Sequence, residues 1–435
     1  MVLWQKRTEN QRKSPKVCLP LEDKSEFMTI TCNFSRENIS VQEAMDIVLN
    51  HTEEFGSENV QLSESLGRAL NENIFADRDF PPFNRVSMDG IAINFEAFEK
   101  GQKEFLIEGI QPAGSAQKKL AHKENCLEVM TGAVLPKNTD TVIPYELVDI
   151  NDGIAKLTTI NVKRNQNVHF QGKDKKKQDL LISSNTIISP AEINVLATVG
   201  KSSIKVAKNP KVAIVSTGDE LVEIDHEPLA FQIRRSNVHA LSAQLRNWGI
   251  VAETFHINDD KQLLNASIEK IIQQFDVCIF SGAVSKGKYD FLPEVLEELG
   301  VEKKFHRVNQ RPGKPFWFGK KETKTFFAFP GNPVSTFMCC VKYFRPWLFG
   351  SLGIKLAEQT AILDENFTFE PNLVYFLQVI TESKNGKIYA RPIAGQGSGD
   401  LANLSACNAF LELPMGRNDF RKGEVFPIYY YRSYL

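Results

Sequence analysis

Residues 276–290 read D-V-C-I-F-S-G-A-V-S-K-G-K-Y-D. The apolar run Val277–Phe280 is the length of a buried strand. Ser281 to Gly287 follow as a small-residue turn, and F-L-P-E-V-L-E-E-L (Phe291–Leu299), stopped by Gly300, has helical spacing. The same strand, turn and helix recur on both sides. Upstream lie K-V-A-I-V-S-T (Lys211–Thr217), the helical text Val238–Trp248 ended by Gly249, the strand V-A-E-T-F-H-I (Val251–Ile257) and the helical text Lys261–Phe275. Downstream, F-F-A-F-P-G (Phe326–Gly331) leads into the helical text Pro333–Leu348. Strands alternating with helices of roughly 10 to 15 residues predict an α/β domain, a parallel sheet covered on both faces, over residues 208–350.

The flanking text is of another kind. Ser40 and Glu43 form an S-x-x-E capping box, and Val41, Ala44, Met45 and Val48 recur at helical spacing. From Asn73 to about Ile160 short β-rich runs (FLIEGI, CLEVM, TVIPYE, IAKLTTI) are broken by Gly, Pro and Asn, as in a small β module. Ser189, Pro190, Glu192 and the stop at Gly200 then mark a short helix. The last 85 residues offer the strands VYFLQVI, KIYARPI, AFLELP and VFPIYYY. The expected organisation is a helical and β region over 38–78 and 165–207, an inserted β domain over 79–164, the α/β domain, and a C-terminal β domain over 351–435. Residues 1–37 open basic and polar, without the apolar stretch of a secretory signal. They read as a disordered extension, with Met28 ahead of the first convincing element.

Composition bounds the function. With 42% hydrophobic and 24% charged residues the chain is globular, and no apolar run approaches the roughly 18 to 20 residues of a membrane span. A net charge of −1 offers no global field for nucleic acid, so an anionic ligand needs a local cluster of cations. Seven scattered cysteines (Cys18, Cys32, Cys126, Cys278, Cys339, Cys340, Cys407) lack C-x-x-C spacing, which points to a reducing cytoplasm rather than a disulfide framework or a zinc site.

Ligands of open α/β sheets bind beyond the carboxyl ends of the strands. Three such ends are unusual here. S-T-G-D-E-L (Ser216–Leu221) carries Ser216, Thr217 and Gly218 ahead of Asp219 and Glu220. S-G-A-V-S-K-G-K-Y-D (Ser281–Asp290) places Gly282, Ser285 and Gly287 where backbone N–H groups can cradle an anion. F-P-G-N-P-V-S (Phe329–Ser335) sets Gly331, Asn332 and Pro333 at a helix start. Between the last two, Arg307, Arg311 and Lys314 could converge on one anion. Glycine turns are common architecture and these cations could equally be solvated, so the weight lies in three turns sharing one sheet edge. The lysines at 173 and 175–177 read as a solvated loop. Asp219, Glu220, Asp259, Asp260 and Asp290 all fall near strand ends, which suits hard-oxygen coordination of Mg2+ beside phosphate. His169, His226, His239, His256 and His306 show no paired ligand spacing.

Taken together, the chain resembles the MoeA family of molybdopterin molybdenumtransferases, which includes the catalytic domain of gephyrin. The matching text is P-P-F-N-R-V-S-M-D-G-I-A (Pro81–Ala92), M-T-G-A-V-L-P (Met130–Pro136), the three turns above, R-P-G-K-P (Arg311–Pro315) and G-Q-G-S (Gly395–Ser398), within residues 38–435. The resemblance implies a homodimer of four-domain subunits with a MogA-like molybdopterin-binding α/β domain, a C-terminal β-barrel-like domain and an active site completed by the partner subunit. It implies a magnesium-dependent reaction in which adenylylated molybdopterin and molybdate give molybdenum-bound cofactor and AMP. Carried over by motif, Asp89, Thr131, Glu220, Asp259 and Asp290 are the residues on which activity depends, Glu220 and Asp290 the metal ligands. The resemblance likewise implies that Ser285, Arg311, Lys314 and Ser398 form the molybdate site, with Arg307, Gly313 and Ser335 among the expected binding residues. The adenylyltransferase that makes the substrate and apo-molybdoenzymes that take the product are implied partners.

The chain departs from the family's usual text at Asn84 and Arg235 (Asp), Ala283 (Gly), His169 (Arg) and Gln378, where many members carry an Arg that helps hold molybdate. Three rival functions stand beside insertion: the related adenylyltransferase, against which the extra domains argue; a non-catalytic scaffold of the gephyrin type; and a nucleotide-anhydride pyrophosphatase.

Overall fold

The computed structural model describes residues 38–284, 290–393, 395, 397 and 399–432. Ser285, Gly287 and Ser398, and the extension expected over residues 1–37, lie outside the described residues. In the α/β domain the elements are β1 (Val212–Thr217), α1 (Ser236–Asn247), β2 (Ala252–Ile257), α2 (Lys261–Gln274), β3 (Val277–Ser281), α3 (Leu292–Glu298), β4 (Glu302–His306), β5 (Trp317–Lys321), β6 (Lys324–Phe329) and α4 (Pro333–Cys339). The sheet order is β2-β1-β3-β6-β5-β4, and β2, β1, β3 and β6 run parallel.

β1 and β3 are buried at every position, as their continuous apolar text requires of strands covered on both faces. Alternate residues point to opposite sides. Val212, Ile214, Ile279 and Phe327 pack with Val238, Leu241 and Leu245 of α1 and with Met338 of α4. Ala213, Val215, Cys278 and Phe280 pack with Leu264 and Ile268 of α2 and with Leu292 and Val295 of α3. The result is three layers whose parallel strands all release their carboxyl ends on one edge. The antiparallel pair β5 and β4 was absent from the sequence reading. β5 joins β6 through a two-residue turn at Glu322 (φ +53°) and Thr323, a connection open only to antiparallel neighbours. The helix expected from Pro333 is also interrupted: Cys340–Phe344 is a π-helical stretch before Arg345–Ser351. Pro346 has no N–H for the ordinary ladder, and the wider hydrogen-bond register precedes it.

Both predicted capping boxes form. The Ser40 N–H donates to Glu43 at 2.8 Å, opening the helix Val41–Leu49, and the Ser189 N–H donates to Glu192 at 2.8 Å, opening Pro190–Thr198. Text on either side of the inserted module meets again, since Ser57–Gln61 pairs with Ser203–Ala207 and Ile74–Phe75 with Leu180–Ile182. The inserted module is a six-stranded sheet with a short α-helix, Phe95–Glu99, and a 3-10 turn, Tyr145–Leu147. Gly90–Ile93 lies inside that sheet between Thr141–Pro144 and Cys126–Val129. A Cβ on Gly90 would stand 2.0 Å from the Ile143 carbonyl oxygen, so only glycine allows the strands to close there.

The C-terminal strands close on themselves. Val374–Lys384 pairs with Lys387–Pro392 on one side and Ala409–Leu413 on the other, and the circuit is completed through Val425–Tyr430 and Thr360–Leu363. Among the contacts that join this barrel to the α/β domain, one is a strand pairing and one a buried ion pair. Gln310–Arg311 runs parallel to Val374–Tyr375. Lys342, 6% exposed, donates to Glu412 at 2.7 Å and to Tyr429 at 2.5 Å. Among the described residues, no helix is long and apolar enough to cross a membrane.

Candidate functional site

At the carboxyl edge of the sheet lies a cleft of about 460 Å³. Its floor is made where β1 and β3 end. Ser216 and Thr217 are buried, and the Thr217 Oγ1 has no hydrogen-bond partner. Gly282 (φ +111°) follows β3, and a Cβ there would come within 3.0 Å of the Thr217 carbonyl oxygen and 3.1 Å of its Oγ1. Glycine therefore keeps open the space that Thr217 faces. Asn237, in the first turn of α1, donates to the Ser281 Oγ at 2.8 Å and to the Gly331 carbonyl at 2.7 Å. One amide thus fixes two of the predicted turns against a third element.

The acids gather on this edge. Glu220, Asp259 and Asp290 line the cleft, and Asp219 accepts the Asp259 N–H at 3.1 Å. Burial, then the charges of Asp219 and Glu220, raise the Asp259 carboxyl above the ordinary carboxylate range, with Asp290 acting in the same direction. The Asp259 Oδ1 is buried without a partner. Asp260 is otherwise engaged: it caps α2, accepting the Leu263 N–H at 2.8 Å. Among the described residues, no three histidine, cysteine or acidic side chains make a ready-formed metal cage. Mg2+ does not require one, because it takes one or two carboxylates together with water and substrate phosphate. An orphaned buried carboxylate oxygen beside further hard-oxygen donors fits that ion.

The cleft also contains Ser216, Thr217, Gly218, Gly282, Gly331, Asn332 and Pro333 from the sequence reading. Other expected residues lie elsewhere. Ser335 is buried within α4 at 2% exposure and does not line the cleft. Arg307, Arg311, Gly313 and Lys314 belong to the crossing toward the barrel: the Arg307 Nε is buried without a partner, and Arg311 lies 6.0 Å from the centre of the Phe369 ring. Gln378, 8% exposed on the barrel strand, has a buried Oε1 without a partner. Sequence reasoning missed Arg235, Ser236 and Asn237 as cleft residues because it started the helix at Val238. Their polar character directly ahead of that helix was the available signal.

Asp89 and Thr131 form a separate pair on the inserted sheet. The Asp89 Oδ1 accepts the Thr131 N–H at 2.6 Å and its hydroxyl at 2.9 Å. These two donors, the backbone one foremost, hold the exposed Asp89 carboxyl below its ordinary range. Thr131→Val removes the hydroxyl and leaves the amide, so Asp89 should titrate at higher pH than in the wild type. NMR titration of the Asp89 side-chain carbon reads this directly, and an unchanged midpoint would contradict the assignment.

Three family models cover nearly the whole described chain: MoeA N-terminal region (domain I and II) at residues 39–200, probable molybdopterin binding domain at 213–350, and MoeA C-terminal region (domain IV) at 360–431. The chain belongs to the MoeA family. A Synechocystis relative named molybdopterin molybdenumtransferase is 38% identical over 398 residues, covering 90% of this chain and 99% of that protein. A Bacillus subtilis relative of the same name is 28% identical over 406 residues, covering 90% and 94%. A solved molybdopterin biosynthesis moeA protein from Pyrococcus horikoshii superposes with a TM-score of 0.78 at 27% identity, covering 90% of this chain and 100% of that one. The MoeA match extends through the inserted, N-terminal and barrel regions, which sets aside the reading as an adenylyltransferase built on the α/β domain alone.

Proposed function

We propose that this protein inserts molybdenum from molybdate into adenylylated molybdopterin with release of AMP, in molybdenum cofactor biosynthesis. The observation that carries this reading is the cleft at the sheet's carboxyl edge. There Glu220, Asp259 and Asp290 stand beside the open turns at Gly218, Gly282 and Gly331. Glu220 and Asp290, with Asp259 beside them, would hold Mg2+. Bound there, magnesium would neutralise phosphate charge while the anhydride breaks. The chain's own groups orient the nucleotide-linked pterin. Thr217 offers a hydroxyl without a partner, and the turn at Gly282 brings backbone close to the ligand.

Arg311 and Lys314, with Ser285 and Ser398, would take the molybdate dianion. One feature supports that assignment: Gln310–Arg311 is paired to the barrel strand that carries Gln378. With Gln378 neutral, that site has fewer fixed charges than a second arginine would give it. We read the working unit as a homodimer in which Asp89 and Thr131 complete the partner's cleft, since neither lines the cleft of its own subunit. A reducing cytoplasm suits the five described cysteines, all buried and unbridged. The adenylyltransferase upstream and apo-molybdoenzymes downstream are its proposed partners.

The test supplies adenylylated molybdopterin and Mg2+ with or without molybdate, following AMP release and reconstitution of a molybdenum-free apoenzyme. Both should depend on molybdate and fail with Asp290→Ala. AMP release indifferent to molybdate would instead identify a pyrophosphatase, and pterin binding without turnover would identify a scaffold.

A further inference from the structure

Arg235 stands immediately before α1 and lines the cleft, yet it is only 8% exposed. One of its terminal nitrogens lies 3.0 Å from the Glu223 carboxylate, whose side chain is half exposed at 49%. Its Nε is buried with no partner. A guanidinium presents five N–H donors, and burying one whose donors are incompletely satisfied is costly. A rim carboxylate held by one terminal nitrogen leaves that cost in place, so Arg235 keeps donors for a second acceptor.

The surroundings suit an anion. Thr217, 4% exposed, lines the same cleft, and its buried Oγ1 is equally without a partner. Ser236 and Asn237 open the 12-residue helix α1 on the cleft wall, where first-turn N–H groups and the helix dipole favour negative charge. Arg234, also on the wall, uses its Nε on the His226 carbonyl at 3.1 Å. The acids Glu220, Asp259 and Asp290 line the cleft as well. The cleft therefore offers carboxylates for a cation and a fixed guanidinium for an anion, the pairing that a magnesium-bound phosphate presents.

We propose that Arg235 is a binding residue for the phosphate of the nucleotide-linked substrate, donating to a phosphate oxygen from the guanidinium edge that Glu223 leaves open. This rests on the functional reading above and adds to it the residue that recognises the AMP moiety. Glu223 opposes the phosphate through its charge, which offsets part of the positive charge on Arg235.

Calorimetric titration of the full-length protein with AMP, adenosine and molybdate tests the assignment. Arg235→Gln should weaken AMP at least tenfold and leave adenosine and molybdate within twofold, whereas Arg235→Lys should recover part of the AMP affinity. Glu223→Gln, a change at a half-exposed position, should tighten AMP by several-fold, which no folding defect can imitate. AMP affinity within twofold of wild type in Arg235→Gln, or wild-type protein that does not bind AMP, overturns the proposal. So does a selective loss of molybdate, which would assign Arg235 to the oxyanion. Arg235-dependent AMP binding in a protein whose AMP release ignores molybdate would leave this subsite standing while removing the insertion reading.

Discussion

Asp259→Asn should reduce molybdate-dependent AMP release by roughly 100-fold or more, the scale of loss when a charged group aimed at a reacting centre is neutralised. The same substitution should raise the thermal midpoint at neutral pH in metal-free buffer. Both effects follow from one arrangement, since Asp259 is pressed by burial and by Asp219, Glu220 and Asp290, and its Oδ1 finds no donor. A carboxyl whose folded pKa is raised favours the folded state fully when protonated, and that contribution is lost as pH rises through the folded value. Asparagine mimics the protonated form at every pH. The variant's advantage should thus be greatest above the raised folded pKa and close as pH falls below the ordinary value of about 3.9. Wild-type turnover should decline on the acid side at a higher pH than an ordinary aspartate would impose. Differential scanning calorimetry across pH, with the AMP-release assay, checks both; a variant less stable than wild type at neutral pH would remove the account.

Glu412→Ala should lower stability by about 3–5 kcal/mol, because it strands the buried Lys342 ammonium. Burial pushes the Lys342 pKa down, and Glu412, 2.7 Å away, opposes that shift. Tyr429 ties the pair together by donating to Glu412 at 2.8 Å. Replacing both partners, as Lys342→Met with Glu412→Leu, should recover most of the loss, since an apolar pair bears no desolvation penalty. Urea unfolding of the single and double variants gives the comparison. If the single variant unfolds at the wild-type midpoint, the pair does not hold the barrel to the α/β domain.

The α/β domain was legible because local and long-range preferences agree there. Val212–Val215 and Val277–Phe280 are apolar runs and the helices Ser236–Asn247 and Leu292–Glu298 are followed by clear stops at Gly249 and Gly300, so strand, turn and helix could be read in order. The capping boxes at Ser40 and Ser189 were legible for the same reason, each being complete within four residues. Gly90–Ile93, Thr360–Leu363 and Trp317–Lys321 were not. Each is short and takes its strand character from partners distant in sequence or from a tight turn, as tertiary context overrides weak propensity.

At the site, residue types and turn positions could be read directly: Thr217, Gly218 and Glu220 after one strand, Gly282 and Asp290 around the next helix start, and Gly331 to Pro333 after a third. Strand ends of a parallel sheet share one edge, so their meeting followed from topology. Which polar atoms are left unsatisfied there could be decided only by packing. Thr217 faces the space that Gly282 keeps open and lacks a partner, Arg235 is buried just ahead of α1, and Asp219 lies against Asp259 across a 40-residue separation. Hydrogen bonding and desolvation depend on three-dimensional neighbours, and no local pattern along the chain encodes them.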